Sequence, residues 1–318
     1  MKSFYLLLCF PFMLFGQAQF DAIQQMFVQK QFVKAQEVMS QYVSSNPNDL
    51  KGIELLGDAY GHQKKWDDAL ICYKKLIELE PNNANYQYKY GGVLGMKALE
   101  VNKIKALPII GEAKASFLKA AELDPNHIDV RWALVELYMK LPGIIGGSKS
   151  KSLKYANELE RISKVDGYLA KGYIYETDNE YELAENNYKK AIEVGGSLTC
   201  YNKLTKFYEN NNQPKKAIAI IEAAKEKHEN NELNYEIGKV AGEYNVELEK
   251  GNQSLMIYLQ NCSGEDKSPK AWGHYRLAQI YKHKGDKVNA LDHINLAISE
   301  LPNVKPFKKE KELILNLK

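Results

Sequence analysis

Residues 143–150 read Gly-Ile-Ile-Gly-Gly-Ser-Lys-Ser, one position away from a phosphate-binding loop. That loop, G-x-x-x-x-G-K-[ST], cradles phosphate oxygens with successive backbone N–H groups and a lysine. Here Ser148 stands where the last glycine is required, and a helical segment rather than a strand precedes the loop. The N-terminus of the following helix could face an anion, but the pattern predicts a Gly-rich turn and a helix start. The six histidines are His62, His127, His228, His274, His283 and His293. None has a partner at a metal-ligand spacing such as H-E-x-x-H; His283 and His293, on either side of a turn, form the best pair. There is no G-x-S-x-G elbow. Cys72, Cys200 and Cys262 carry no catalytic or disulfide pattern and suit small apolar filling roles. The carboxylates fit solvated helical faces. No catalytic, cofactor-binding or metal-binding residue is therefore expected.

Charge and the N-terminus narrow the class. Lys2 precedes an apolar run of 12 residues at 4–15, and Gly16-Gln17-Ala18 follows. The run is too short to span a bilayer as a helix. The pattern predicts a signal peptide over residues 1–18, cleaved after Ala18. Cys9 lies inside the apolar run, which argues against a lipid-modified cysteine. No later stretch approaches the length of a membrane span. Removing Lys2 takes the net charge from +3 to +2, with 42 basic against 40 acidic residues. Near balance offers no footprint for nucleic acid. The expected location is the periplasm or the exterior.

The elements follow from an internal repeat. Small residues recur at Ala35, Ala69, Ala113, Ser152, Ala184, Ala217, Ser254 and Ala290, at spacings of 34, 44, 39, 32, 33, 37 and 36. The second unit is clearest: Leu56-Gly57, Tyr60, Ala69, Tyr73 and Pro81. Gly57 and Ala69 let two helices approach closely. Tyr73 is expected to fill the space between units. Asp67 and Asp68 complement a helix N-terminus, and Pro81 ends that helix. Gly91, Gly172 and Gly238 match Gly57; Tyr138, Tyr175, Tyr208 and Tyr281 match Tyr60; Phe117, Tyr188 and Tyr258 match Tyr73. Ala120, Ala191, Ala224 and Ala297 mark a later small position, and Pro47, Pro125 and Pro302 close units. This pattern resembles the tetratricopeptide repeat over about residues 20–303. The resemblance implies an all-α fold, a right-handed α-solenoid of about eight helix–turn–helix repeats over residues 19–303. Residues 304–318, with Phe307, Ile314 and Leu317 on one side, are expected to form a capping helix.

Three units, 84–127, 128–164 and 231–265, exceed the period. The third gains about ten residues near 96–110, read as two extra turns of its first helix with Pro108 near the break. The fourth inserts the Gly-rich loop. The seventh gains about four residues before Ser254. The long third unit and the Pro-Gly-x-x-Gly-Gly insertion are similar to exported bacterial tetratricopeptide proteins, which implies a shared architecture and export but no reaction.

In such arrays the first helices line a concave groove, and the repeat names its lining here. Trp132 and Glu136 come from the fourth unit, Tyr173 from the fifth, and Asn202 and Lys206 from the sixth. Tyr235 and Lys239 come from the seventh, and Trp272, Tyr275, Arg276 and Gln279 from the eighth. Trp, Tyr and Arg dominate binding energy at interfaces. Lys206, Lys239 and Arg276 are placed to receive a carboxylate or an acidic segment. Some family members clamp a C-terminal carboxylate with Lys and Asn. Here Asn202 and Lys206 stand in the wrong order and Glu236 replaces the Asn, so that clamp is not expected. The expected function is a non-catalytic exported scaffold for a protein or peptide. The alternative is a periplasmic small-molecule or glycan carrier using the aromatic face and the residue 143–149 loop.

Overall fold

The structure is a computed structural model that describes residues 10–264 and 266–317, with side chains from Gln19 onward. Residues 1–9 of the expected leader, Cys9 included, lie outside the described residues, as do the side chains of 10–18. The described residues form seventeen α-helices and no strand. They divide into two compact units, one ending at Ser163 and one beginning at Lys164. The first holds α1 (Phe10–Val28), α2 (Phe32–Ser45), α3 (Leu50–His62), α4 (Trp66–Leu79), α5 (Ala84–Glu100), α6 (Lys103–Leu123), α7 (Ile128–Lys140) and α8 (Lys149–Ile162). The second holds α9 (Lys164–Thr177), α10 (Tyr181–Gly195), α11 (Leu198–Asn210), α12 (Pro214–Lys225), α13 (Glu232–Tyr244), α14 (Leu248–Asn261), α15 (Lys270–His283), α16 (Lys287–Glu300) and α17 (Lys305–Leu315). Within each unit successive helices pack as four antiparallel hairpins, and in the second α17 lies on α15 and α16.

Turn chemistry makes the hairpins. The chain reverses through a left-handed residue at Lys30, Lys64, Asn179, Asn212 and Gly285, with φ between 52° and 76°. Gly and Asn accept that conformation readily, whereas the two lysines adopt it against their Cβ. Between hairpins, caps restart the helix. Asp49 accepts from the Gly52 N–H at 2.6 Å, and Asn83 from Asn85 and Tyr86.

Four of the hairpins, α3–α4, α5–α6, α9–α10 and α13–α14, close on a glycine. A Cβ on Gly57 would lie 3.0 Å from the Tyr73 ring, one on Gly91 2.9 Å from Phe117, and one on Gly172 2.5 Å from Tyr188. Tyr73 therefore covers the first helix of its own hairpin instead of filling space between units. Its hydroxyl donates to Asp58 Oδ1 at 2.5 Å, and Lys89 of the next hairpin reaches Asp58 at 2.9 Å and Glu54 at 2.7 Å. Burial, reinforced by Asp58, pushes the Tyr73 phenol well above the ordinary tyrosine range, so it stays a donor. Glu176 repeats the device: it accepts Tyr188 Oη at 2.7 Å and the Asn210 amide of the following hairpin at 3.0 Å. A buried ring is thus tied to a carboxylate, and the carboxylate to the next hairpin.

Two of the long units differ from expectation. In the third, both helices are extended: α5 has 17 residues and α6 has 21, against 13 and 14 in α3 and α4. The break falls at Val101–Asn102, where Asn102 caps α6 by accepting from the Lys105 N–H at 3.0 Å. Pro108 sits inside α6, and Ile104, whose carbonyl loses that donor, is exposed. In the seventh, Leu255 rather than Tyr258 covers Gly238, and Gly251 meets Ala241. Gly251, not Ser254, is the small position, so the spacing from Ala217 is 34 and that to Ala290 is 39. The extra residues therefore follow α14. Only a one-residue lengthening remains in the turn, where both Asn245 and Glu247 are left-handed.

Gly172→Ala is expected to destabilise by about 1–3 kcal/mol, since its Cβ must displace the Tyr188 ring. Gly111→Ala, in α6 with nothing within 4 Å of its Cβ, is expected to stabilise by about 0.5–1 kcal/mol. Denaturant midpoints of the two variants check both signs.

Candidate functional site

In the second unit, α11 and α13 leave a groove of about 560 Å3 between them. These are the first helices of adjacent hairpins, so their outward faces are not covered by their own partners. Asn202, Lys206, Glu209, Glu232, Glu236 and Lys239 line it. Three of the residues expected from the sequence, Asn202, Lys206 and Lys239, are therefore together. Asn202 and Lys206 are exposed, one helical turn apart on α11.

The groove's electrostatics centre on Glu209, which is buried. It takes Lys206 Nζ at 3.4 Å and Lys239 Nζ at 3.8 Å, and Lys239 also pairs with Glu236. Burial alone would depress the Lys239 ammonium, but Glu236 and Glu209 outweigh it and hold its pKa above the ordinary lysine range. The lysines expected to receive an incoming carboxylate already have one within the chain. Sequence reasoning missed Glu209, whose only signal is its position three after Lys206 on the same helix face. With carboxylates and ammonium groups interleaved and Asn202 open, the groove suits polar and backbone groups of both signs.

The eighth-hairpin residues do something else. Trp272 packs edge-on against Phe307 of α17 at 4.9 Å, and Tyr275 stacks on the same ring at 5.0 Å. Gln279 is buried and donates to the Tyr275 hydroxyl at 3.1 Å. Arg276 lies over the Tyr275 ring, bonds Gln279 Oε1 at 2.9 Å and faces Glu243 at 3.5 Å. The face read as groove lining is the seat of α17, whose Phe307 is buried against it. Tyr235 is likewise buried, against Tyr258 at 5.4 Å. Tyr173, on α9, is half-buried and does not line the groove. Trp132 and Glu136 belong to α7 of the first unit, where Glu136 pairs with Lys140 at 2.6 Å.

The Gly-rich loop is no phosphate cradle. It is a single 3-10 turn, Gly143–Ile145, entered from α7. The N–H groups of Ile145 and Gly147 bond to the Pro142 carbonyl, that of Gly146 to Gly143, and that of Ser148 to Tyr138, at 2.9–3.1 Å. The donors a phosphate would require are held by the chain itself. Ser148 then caps α8, accepting from the Lys151 N–H at 3.3 Å.

The histidines also regroup. His283 Nε2–H donates to the Gly242 carbonyl at 3.0 Å, so it is not the partner of His293. His293 Nδ1 instead meets His274 Nδ1 at 3.0 Å and stacks on Tyr281. Among the described residues no group of three or more His, Cys, Asp or Glu could hold a metal ion.

Comparison with known proteins accords with the repeat. Models of the tetratricopeptide repeat match residues 51–83 and 165–194. The chain is 25% identical over 157 residues to a tetratricopeptide repeat protein 30 homolog of Drosophila melanogaster, which is 49% of this chain and 22% of that protein. It thus spans about a fifth of that relative's length. Among solved structures, yeast Tom70 aligns with a TM-score of 0.57 at 15% identity, covering 90% of this chain and 57% of that one. A tetratricopeptide repeat protein of Parabacteroides merdae aligns at 0.50 with 14% identity, covering 94% and 98%. The chain carries tetratricopeptide repeats and an all-helical solenoid fold, an architecture typical of protein–protein interaction and generally non-catalytic.

The histidine pair sets a pH dependence. Burial holds His274 below its ordinary pKa; burial and then the charge of His274 do the same for His293. The unfolded chain therefore binds more protons than the folded one below about pH 6.5, and this contribution to stability is lost as pH falls through that window. Melting temperature is expected to decline from pH 7 to pH 5, with a shallower slope in His293→Gln.

Proposed function

We propose that the protein is an exported, non-catalytic scaffold that takes a segment of a partner protein into the α11–α13 groove. The observation that carries this reading is the exposed Asn202 and Lys206 on α11, beside the Glu209–Lys239 cluster that links α11 to α13, in a groove of about 560 Å3. The groove lies between the first helices of consecutive hairpins, where backbone partners are absent and side chains must supply recognition. Its mixed charge favours a polar segment whose own charges alternate, instead of a uniformly acidic one. Tetratricopeptide repeats elsewhere in the chain, and their usual role in protein interaction, support the same class. Glu209 orients the two lysines and fixes their spacing, which is a positioning role.

Export rests on the sequence: Lys2, the apolar run and Gly16-Gln17-Ala18. Cleavage after Ala18 would leave Gln19 first, and the retained part of α1 contributes Phe20, Ile23, Met26 and Phe27 to the core. Among the described residues no helix is long and apolar enough to cross a membrane.

A photo-crosslinking residue placed at Asn202 tests the groove. In envelope extract it is expected to capture a defined partner, and Lys206→Glu is expected to weaken that capture at least tenfold with helicity unchanged. The same partners recovered in equal yield from Lys206→Glu would sink the assignment. Intact mass of the protein from an envelope fraction checks the leader, with Gln19 as the expected first residue.

A further inference from the structure

The lengthened third hairpin of the first unit creates a pocket that the repeat does not explain. Its volume is about 730 Å3, within the range of small-molecule sites, roughly 300–1,000 Å3. It lies between α5, α6, α7 and the start of the Gly-rich loop, walled by Met96, Leu99, Leu107, Ile110, Leu137 and Ile145. Hairpins of ordinary length lack the extra turns that supply Leu99, Ile104 and Leu107. These three side chains are exposed, Leu99 to 78% and Ile104 to 82%. An apolar concavity with an apolar rim is unusual on a monomer surface.

Two glycines mark it further. Gly92 and Gly95 lie inside α5, where glycine weakens a helix. Unlike Gly91, which sits against Phe117, neither has any atom within 4 Å of where a Cβ would be. No packing within the chain requires them. Both line the pocket, so what their missing side chains provide is open space.

The charged side chains in the lining are Lys103, Glu136 and Lys140. Glu136 and Lys140 pair with each other. Lys103 is exposed and has no carboxylate partner among the described residues. It stands in the first turn of α6, where a cation opposes the helix dipole. Among the described residues the site therefore combines an aliphatic slot with one uncompensated cation, Lys103, at its rim.

That combination selects the ligand class. An extended peptide would leave its backbone N–H and C=O groups facing aliphatic carbon, which is unfavourable. A glycan needs converging polar groups and open ring faces. The ring in the lining, Phe117, is buried against Gly91. A saturated chain has no such requirements, and an anionic head complements Lys103. We propose that this pocket binds a long-chain fatty acid, its acyl chain along Gly92, Gly95, Met96 and Leu107 and its carboxylate at Lys103. This is a second site, independent of the α11–α13 groove.

Displacement of a fluorescent fatty acid by palmitate, measured on the full chain, tests it. Saturable binding at one site per chain is expected. Gly95→Phe, whose Cβ would meet no atom within 4 Å and whose ring would occupy the slot, is expected to weaken palmitate at least tenfold; Gly92→Leu is a second filling variant should the first lose helicity. Gly111→Phe, on α6 outside the pocket, is expected to bind as wild type. Lys103→Glu is expected to weaken palmitate at least fivefold and leave hexadecanol unchanged. Absence of saturable binding, or equal affinity in both filling variants, would overturn the site. Equal loss of palmitate and hexadecanol in Lys103→Glu would overturn the carboxylate assignment. Displacement of the fluorophore by an apolar helical peptide but not by palmitate would make the occupant a protein segment and refute the proposal.

Discussion

A two-helix hairpin of about thirteen residues per arm cannot bury its own apolar surface, and its arms approach closely only where one of them carries a small residue. The glycine-on-ring contact at Gly57–Tyr73, Gly91–Phe117 and Gly172–Tyr188 is where this chain meets both demands. The missing side chain brings the helix axes together. The ring fills the gap. Its hydroxyl, where there is one, must then find an acceptor, because a buried phenol without one is destabilising. Asp58 and Glu176 are those acceptors, and each also engages a donor from the next hairpin. A single steric requirement thus propagates into the stacking of neighbouring hairpins.

Where that contact is altered, the consequences are local. In the seventh hairpin Leu255 replaces the ring over Gly238, and the displaced Tyr258 is fully buried elsewhere, bonded to the Ser268 carbonyl of the following connection. In the third, the contact is ordinary but the arms run on past it. The additional turns have no neighbouring hairpin of equal length to cover them. Their apolar side chains, with Gly92 and Gly95 of the preceding turns of α5, remain facing a concavity. The buried Arg131, bonded to carbonyls of Ala121, Asp124 and His127, ties the end of α6 to the start of α7.

The two candidate sites differ in kind for this reason. The α11–α13 groove is a product of regular stacking: first helices present polar faces side by side, and Glu209 organises the lysines between them. The α5–α6 pocket is a product of irregular length. One is polar, with Lys206 and Lys239 paired to carboxylates of the chain; the other is aliphatic, with one lysine that has no carboxylate partner among the described residues.

Much of the fold was legible in the sequence, because tetratricopeptide packing is carried by residue types at short fixed offsets. Gly, Ala, Tyr and Pro recur in register, and helix–turn–helix units follow from local sterics alone. The polar set Asn202, Lys206 and Lys239 was legible on the same grounds, as positions on the outward face of first helices. What the sequence could not decide was which outward faces stay outward. Trp272 and Tyr275 occupy lining positions by register, yet Phe307, more than thirty residues later, covers them. Nor could spacing separate a longer first helix from two longer arms, or Ser254 from Gly251 as the small residue. Local offsets determine each hairpin, whereas coverage, charge pairing and empty space depend on which distant surfaces meet, and only the tertiary structure settles that.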